Sequence, residues 1–375
     1  MDDAAGASAR YERLKDYLSA DSDNLRLIAE AADAAWLAGE PAEATALIER
    51  HAAVAPPPPS LINLLGLCAL ADDRFADAAS IFSSLLADRP ADPGLRFNLA
   101  WARSRLNDHA GVLEALAQAT ENSQAAALQV RSLHHLGRLE EALVVGDAWE
   151  GRSDDPDLWS ALATAALDHE DLERAARWAG RADTTAEGQA AIGMLAMAEG
   201  RSAQAREHFE QALALRSDLA RGHLGMGAVL LSGDMPTDAA RRFDQAAETF
   251  GDHLGSWIAA GWAWLIAGDA EMARERFERV IALDDTFSEA HGGLALLDFQ
   301  EGRPDDARRR AEIALRLDRH SLGGTLVSSL LLEQAGKAEA AAAIVQRALT
   351  APIGPGGQSI AEVLATRAAM GRIAP

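Results

Sequence analysis

Apolar and polar residues follow one another along this chain in the three- and four-residue steps of amphipathic helices. In residues 256–285, these steps continue on both sides of a short polar turn centred on Gly268. The pattern predicts two helices joined by a tight turn, and it predicts no strand. The same turn returns every 30 to 34 residues. Its central residues are Gly39, Asp73, Asn107, Gly137, Glu170, Gly200, Asp234, Gly268, Gly302 and Gly336.

Small residues lie at fixed distances before and after each turn. Seven residues before its centre the chain has Ala, Gly, Ser or Val, and five residues after it has Ala or, once, Val. Because small side chains let two helix backbones approach closely, we expect both positions to lie where paired helices cross. Nine residues after the centre a larger side chain is frequent, and we expect it to fill the gap to the next unit. A period of this kind predicts a solenoid of stacked units in place of two or three ordinary domains.

The repeated pattern of small residue, Gly or Asp turn, Ala, aromatic residue and Ala resembles the tetratricopeptide repeat family over nearly the whole chain. The residues that carry the resemblance are the aromatic Phe82, Phe209, Phe243 and Phe277, the final Ala212, Ala246, Ala314 and Ala348, and the closing Pro56 and Pro90. The resemblance implies an all-α fold, a right-handed α-solenoid superhelix of about ten helix-turn-helix repeats with N- and C-terminal capping helices. It implies no particular function, because the family serves many unrelated partners.

The repeats predict three segments. Residues 1–23 would form an N-terminal capping helix, centred on residues 8–19, and residues 24–351 the solenoid of about ten repeats. Residues 352–375 would form a Pro- and Gly-rich loop and a C-terminal capping helix. Departures from the pattern lie between residues 107 and 200, where Gly146 and Ala179 replace the large residue. Degenerate repeats and a functional bend are equal alternatives for this region.

Composition narrows the class of partner. The formal net charge of -22 and a pI near 4.8 would repel nucleic acid over most of the surface, so basic or neutral partners are favoured. Cys68 is the single cysteine and lies in an apolar run, which predicts a buried, inert thiol. The acidic amino terminus does not match a signal peptide, and no apolar stretch is long enough for membrane insertion. These observations predict a cytoplasmic protein.

The resemblance implies that the first helix of each repeat lines a concave groove. Counting ten, six and three residues before each turn centre gives a groove that is unusually apolar for an acidic protein. The predicted partner-binding residues are Trp36, Asn63, Phe97, Trp101, Arg131, His134, Met194, Met197, Ile258, Trp262, Leu265, Leu296 and Phe299. An apolar peptide or amphipathic helix would suit such a surface. The alternative is that several of these side chains pack within the superhelix and contact no ligand.

Candidate catalytic and cofactor motifs are weak. His169, Glu170 and Asp171 have the spacing of an iron-binding pair, but they fall on an inter-helix turn. His134 and His135 point about 100 degrees apart on a helix, so they cannot chelate one metal ion. The glycine pairs at 225/227 and 292/293 follow no strand, which argues against a phosphate-binding loop. A carboxylate clamp is not predicted either, and we expect no catalytic residue, no metal and no cofactor.

The sequence therefore predicts a non-enzymatic adaptor that binds an apolar or basic protein or peptide segment. Two alternatives stay open: a regulatory or substrate-presenting subunit of a separate enzyme, such as a transferase, and a self-assembling protein whose groove receives a terminal helix of another copy. Homo-oligomerisation is compatible with each. The run Arg308, Arg309 and Arg310 follows Asp305 and Asp306, which predicts a salt-bridged outer face or, alternatively, a docking surface for an acidic partner.

Overall fold

A computed structural model describes residues 2–117 and 122–350, together with 352–353 and 358–359. These residues form 21 helices and one pair of two-residue strands. They fall into two compact units, Met1–Ala191 and Ile192–Pro375, with the boundary inside one helix. The expected all-α solenoid of helix-turn-helix repeats is confirmed. None of the described helices is both long and apolar enough to cross a bilayer.

The first unit begins with one helix, which is followed by antiparallel helical pairs. The first helices of the pairs have even numbers and the second helices odd numbers. The helices are α1 (Asp2–Ala20), α2 (Leu25–Leu37), α3 (Pro41–Val54), α4 (Pro59–Ala71), α5 (Phe75–Asp88), α6 (Pro93–Arg105), α7 (His109–Leu116), α8 (Ser123–His135), α9 (Leu139–Trp149), α10 (Pro156–Asp168) and α11 (Leu172–Ala179). Helix α12 (Ala186–Ala198) contains the boundary between the units.

The second unit continues the same alternation. Its helices are α13 (Ser202–Leu215), α14 (Ala220–Ser232), α15 (Pro236–Phe250), α16 (Leu254–Ile266), α17 (Ala270–Leu283), α18 (Ser288–Gln300), α19 (Pro304–Leu317), α20 (Leu322–Gln334) and α21 (Ala338–Thr350). Strands β1 (Pro352–Ile353) and β2 (Gln358–Ser359) pair antiparallel, which the helical pattern did not predict. The predicted C-terminal capping helix lies outside the described residues.

All ten predicted turn centres have a left-handed backbone, with φ between 57° at Asp73 and 84° at Gly268. At each turn the N–H after the centre donates to the carbonyl five residues earlier, as from Asp269 to Trp264 at 3.0 Å. This is the Schellman arrangement, which pairs carbonyl groups that the helix end leaves without partners. The turns therefore stop each first helix at a defined residue and fix where the second helix begins.

Small residues lie at the helix crossings, as predicted. The alanines five residues after each turn centre are fully buried, and so are the glycines and alanines seven residues before it. A Cβ added at Gly193 or Gly261 would lie 2.7 or 2.6 Å from the ring of Phe209 or Phe277 in the same repeat. These phenylalanines therefore also pack within their own repeat. Phe277 also contacts Gly293 of the next first helix, so it joins two repeats.

The irregular region is packed by tryptophan. Gly146 makes room for the indole of Trp178, since a Cβ on residue 146 would lie 2.6 Å from Cζ2 of that ring. Trp178 and Trp159 are fully buried, with ring centroids 6.4 Å apart, and Arg181 stacks 3.6 Å from the centre of the Trp159 ring. A tryptophan one position earlier in the register thus replaces the large side chain that is missing at Ala179.

Helix α1 runs from Asp2 to Ala20, within the segment for which an N-terminal capping helix is predicted. Tyr11, Leu14 and Leu18 are buried in a cluster with residues of α2, α3 and α4. The Tyr11 hydroxyl donates to Glu43 at 3.1 Å, and burial together with this carboxylate raises the pKa of Tyr11 to about 12. Cys68 is buried in the same cluster, as expected.

Candidate functional site

An open cleft of about 370 Å³ on the surface of the first unit is lined by residues of the first helices α6, α8 and α10. Three of the predicted binding residues meet there: Phe97, Trp101 and Arg131. The remaining lining residues are Asn98, Gln124, Ala127, Leu128 and Asp157. The cleft combines aromatic and aliphatic surface with a guanidinium, two amides and a carboxylate, so it offers both apolar area and hydrogen-bonding groups.

Trp101 is the most exposed aromatic residue of the cleft, with 42% of its surface accessible. It lies six residues before the turn centre Asn107, on the helix face that points away from the buried Leu99, Ala100 and Ala102. An indole ring left in solvent costs free energy that burial under a ligand would recover. The neighbouring Phe97 is half-buried and packs against the core of the same repeats.

The predicted binding set did not include the polar cleft residues Asn98, Gln124 and Asp157. Asn98 precedes its turn centre by nine residues, and Asp157 precedes Glu170 by thirteen. Asp157 lies in the first turn of α10 and lines the cleft together with residues of α6 and α8. The positions ten, six and three residues before the centre sample the middle and end of each first helix only. A fourth position, thirteen residues before the centre, would have found Asp157.

Other predicted residues of the first unit lie away from the cleft lining. Trp36 is half-buried against the cluster formed by α1 to α4, and Asn63 is half-buried on α4. The Nε2–H group of His134 donates a hydrogen bond to the Asp168 carboxylate of α10 at 2.6 Å. Its ring meets His135 edge-on at 5.9 Å, which agrees with the expectation that adjacent histidines diverge.

In the second unit, the predicted apolar residues form a half-buried face. Met194, Met197, Ile258 and Leu265 pack partly against the core of α13 to α18, and Phe299 packs against that of α18 to α20. Trp262 is half-buried, and its ring meets Phe277 edge-on at 5.4 Å. Leu296 is buried, so it offers a partner the least surface of the set.

Trp262 also lines a second, mostly apolar cleft of about 350 Å³, together with Glu289, Leu322, Gly323 and Leu326. Leu322 and Leu326 are exposed although they are large and apolar. The Glu289 carboxylate accepts from the backbone N–H groups of Leu322 and Gly323 at 2.7 and 3.3 Å, so it caps helix α20. Leucine side chains at the start of α20 thus add apolar surface that the predicted set did not include.

His109 of α7 and His134 and His135 of α8 form a cluster of histidines. The rings of His109 and His135 stack with centroids 4.3 Å apart, and burial lowers the pKa of both imidazoles. The neighbouring His109 and His134 lower the pKa of His135 further. Within the part of the chain that the structure describes, no group of three or more His, Cys, Asp or Glu side chains is arranged to hold a metal ion.

The His169–Asp171 segment forms a turn, as predicted. His169 ends α10, Glu170 has φ 62°, and the Asp171 carboxylate accepts the N–H of Arg174 at 3.0 Å to cap α11. This backbone hydrogen bond and the Arg174 guanidinium lower the pKa of Asp171. The paired glycines also lie at packing contacts, since Gly225 and Gly293 adjoin Phe209 and Phe277.

Comparison with protein families finds similarity in the second unit and at its boundary with the first. Two sequence profiles, each described as Tetratricopeptide repeat, match residues 186–219 and 293–357. None of the curated protein sequences compared with the chain matches it.

Solved structures of low sequence identity share the fold. A monomeric IFIT1 mutant (L457E/L464E) with Gppp-AAAA matches at a TM-score of 0.53 and 14% identity, over 87% of this chain and 90% of that chain. The human IFIT1 dimer with PPP-AAAA matches at 0.52 and 15%, with the same coverage. The Pseudomonas aeruginosa pilF structure matches at 0.44 and 21%, over 52% of this chain and 92% of that chain. At these identities, the likeness to IFIT1 concerns the fold alone.

Proposed function

The chain is a tetratricopeptide repeat protein, and from this premise we propose that it is a non-enzymatic scaffold that binds a protein segment in the cleft around Trp101. Tetratricopeptide repeats are generally protein-interaction modules, because stacked helical pairs bury their mutual interfaces and leave one face available. The observation that carries the proposal is the exposed indole of Trp101 between Phe97 and Arg131.

The chemistry of the cleft supports a particular class of segment. Phe97, Trp101 and Leu128 offer apolar surface to an aliphatic or aromatic side chain. Asp157 and the net charge of -22 favour a segment that also carries Lys or Arg. Arg131, Asn98 and Gln124 can bond the peptide backbone, whose carbonyl and N–H groups would otherwise lose their water partners. The proposed partner is therefore an apolar segment with a basic flank.

A selection from a displayed random peptide library tests the proposal. We expect the selected peptides to combine aromatic or aliphatic residues with Lys or Arg, and to bind the purified full chain with an affinity measurable by fluorescence anisotropy. Trp101→Ala should weaken that binding about tenfold or more, which corresponds to loss of one buried aromatic contact. Replacing Arg131 by Gln should weaken it to a smaller extent.

Leu136→Ala is the matched control, because Leu136 is a comparably exposed apolar residue, at 41%, in the turn after α8. It does not line the cleft. Equal weakening by Leu136→Ala, or unchanged affinity in Trp101→Ala with circular dichroism and melting preserved, would contradict the proposal.

A further inference from the structure

Asp298 of α18 is a buried carboxylate with an unusual number of arginine partners. It is 2% exposed, yet it accepts from Nη2 of Arg274 at 3.1 Å, from Nε of Arg310 at 2.9 Å, and from Arg303. These arginines come from α17, from α19 and from the residue just before α19. Three guanidinium groups from two consecutive repeats therefore contact one carboxylate.

The second unit shows what a buried carboxylate needs for its own stability. Asp244, which is 9% exposed, is satisfied by a single guanidinium: Arg276 donates to its two oxygens at 2.8 and 3.2 Å, and Trp264 adds one N–H. One fork-shaped arginine is enough, because its parallel N–H groups match the two oxygens of a carboxylate. By this comparison, Asp298 has two more arginines than its burial requires.

The surplus positive charge is only partly compensated nearby. Glu301 pairs with Arg274 at 3.0 Å and with Arg303, and Asp306 pairs with Arg309. Four guanidinium groups thus stand against the three carboxylates of Asp298, Glu301 and Asp306. The Nη atoms of Arg310 have no hydrogen-bond acceptor among the described residues.

These side chains surround an open cavity of about 480 Å³. Its lining consists of Arg274, His291, Asp298, Arg303, Asp306, Arg309, Arg310 and Ile313. His291 contributes a further polar atom, because its Nε2 donates to the carbonyl of Asp285 at 2.8 Å while its Nδ1 is buried without a partner in the described chain. The carbonyl can only accept, so Nε2 carries the proton.

We propose that this cavity binds an oxyanion, the phosphate or carboxylate group of a ligand or partner, with Arg309 and Arg310 as its principal contacts. Asp298 holds Arg274, Arg303 and Arg310 in place before the ligand arrives, which lowers the conformational cost of binding. The acidic surface elsewhere does not prevent this, because charges beyond about 8 to 10 Å are largely screened at physiological salt. The volume leaves room for more than the anionic group itself.

Three adjacent arginines of α19 provide the test. We would titrate the purified full chain with inorganic phosphate and with succinate by isothermal calorimetry, at constant ionic strength set with chloride. Arg310→Gln should weaken binding about tenfold or more, because a charge-assisted hydrogen bond is lost. Arg309→Gln should also weaken it, and it leaves every contact of the buried Asp298 intact. Arg308→Gln is the control, since Arg308 pairs with Asp305 at 3.1 Å and does not line the cavity.

Binding of phosphate alone would assign a phosphate group, binding of succinate alone a carboxylate, and binding of both the shared chemistry. Each result supports the proposal if Arg309→Gln weakens it and Arg308→Gln does not. If neither anion binds above the chloride background, or if Arg309→Gln and Arg308→Gln weaken binding equally, the proposal is overturned. Trp101→Ala should bind the same anions as the native chain with unchanged affinity, so the outcome is independent of the proposed peptide cleft.

Discussion

The ring of Phe277 packs directly against Gly261, at a point where a Cβ on residue 261 would lie 2.6 Å from Cε1 of the ring. The same relationship joins Gly66 to Phe82, Gly193 to Phe209 and Gly227 to Phe243. Every repeat with phenylalanine nine residues after its turn centre has glycine seven residues before it. Repeats with Ile48 or Leu116 at the later position have alanine at the earlier one. In these six repeats, the larger the side chain at the later position, the smaller the residue at the earlier one.

Gly261→Ala should destabilise the second unit by about 1 to 3 kcal/mol, because the added methyl group forces the buried Phe277 out of its place. Urea unfolding followed by circular dichroism measures this loss. In Gly261→Ala/Phe277→Leu the loss should be smaller than the sum of the two single changes, since the smaller side chain makes room.

Gly233→Ala is the control for this prediction, because a Cβ at residue 233 meets its nearest atom at an ordinary 3.4 Å. It should leave stability nearly unchanged. Additive effects of the Gly261 and Phe277 substitutions would show that the two positions do not share one volume.

This volume relationship marks the limit of what spacing alone predicts. The turn centres could be located from the sequence because a left-handed turn depends on local chemistry, and all ten were correct. The contacts of Phe277 could not, because the direction of a side chain depends on how the two helices rotate against each other. Likewise, Gly146 indicated a missing side chain, whereas the indole that fills the space belongs to Trp178 of the next repeat.

Glu170 is the turn centre whose side chain suits its backbone least. It has φ 62°, a region that costs a residue other than glycine about 1 to 2 kcal/mol, and Asp or Asn tolerate it better than Glu does. Its side chain is exposed, so its loss removes no packing. Glu170→Gly should therefore stabilise the chain by about 0.5 to 1 kcal/mol in urea unfolding, the gain being reduced by the flexibility of glycine in the unfolded state.

The reverse substitution is the control. Gly200 occupies the equivalent position with φ 77°, and Gly200→Ala should cost about 1 kcal/mol. If both substitutions change stability in the same direction, backbone strain does not decide the residue at these turns.

Trp178 should be essential for the packing of the irregular region. It is fully buried against Gly146 and Trp159, and its Nε1 donates to Glu150 at 3.1 Å. Trp178→Ala should cost about 3 to 5 kcal/mol, since it leaves a large cavity. Trp101→Ala should cost less than about 1 kcal/mol, because much of that ring is already exposed. Equal losses of stability in Trp178→Ala and Trp101→Ala, measured by thermal or urea unfolding, would contradict this prediction.

The candidate sites could be predicted only in part. Arg308 and Arg309 pair with Asp305 and Asp306, as the spacing along one helix indicates. Arg310 instead reaches Asp298, twelve residues earlier, across a turn whose geometry no helical spacing describes. Phe97 lies ten residues before a turn centre, and Trp101 and Arg131 lie six before one, so counting from the turns identified them. Gln124 lies in the first turn of α8, outside the counted positions.

The stacked histidines should make the stability of the first unit sensitive to mild acid. Burial lowers the pKa of His109 and His135 below the ordinary 6.5, so the folded chain favours their neutral forms. Asp108 raises the pKa of His109, but by less than burial lowers it. Below pH 6.5 the unfolded chain therefore binds more protons than the folded chain, so the free energy of unfolding decreases as the pH is lowered. Above that pH these groups contribute no slope.

Urea unfolding at about pH 7.5 and about pH 5.5 measures this dependence. His109→Gln should lose less stability between the two conditions than the native chain, because it removes one of the two rings that resist protonation and relieves the charge facing His135 at 4.3 Å. His169→Gln is the control, since His169 is exposed on the turn after α10 and contacts neither ring. A native-like slope in His109→Gln, or an equally reduced one in His169→Gln, would place the acid sensitivity elsewhere in the chain.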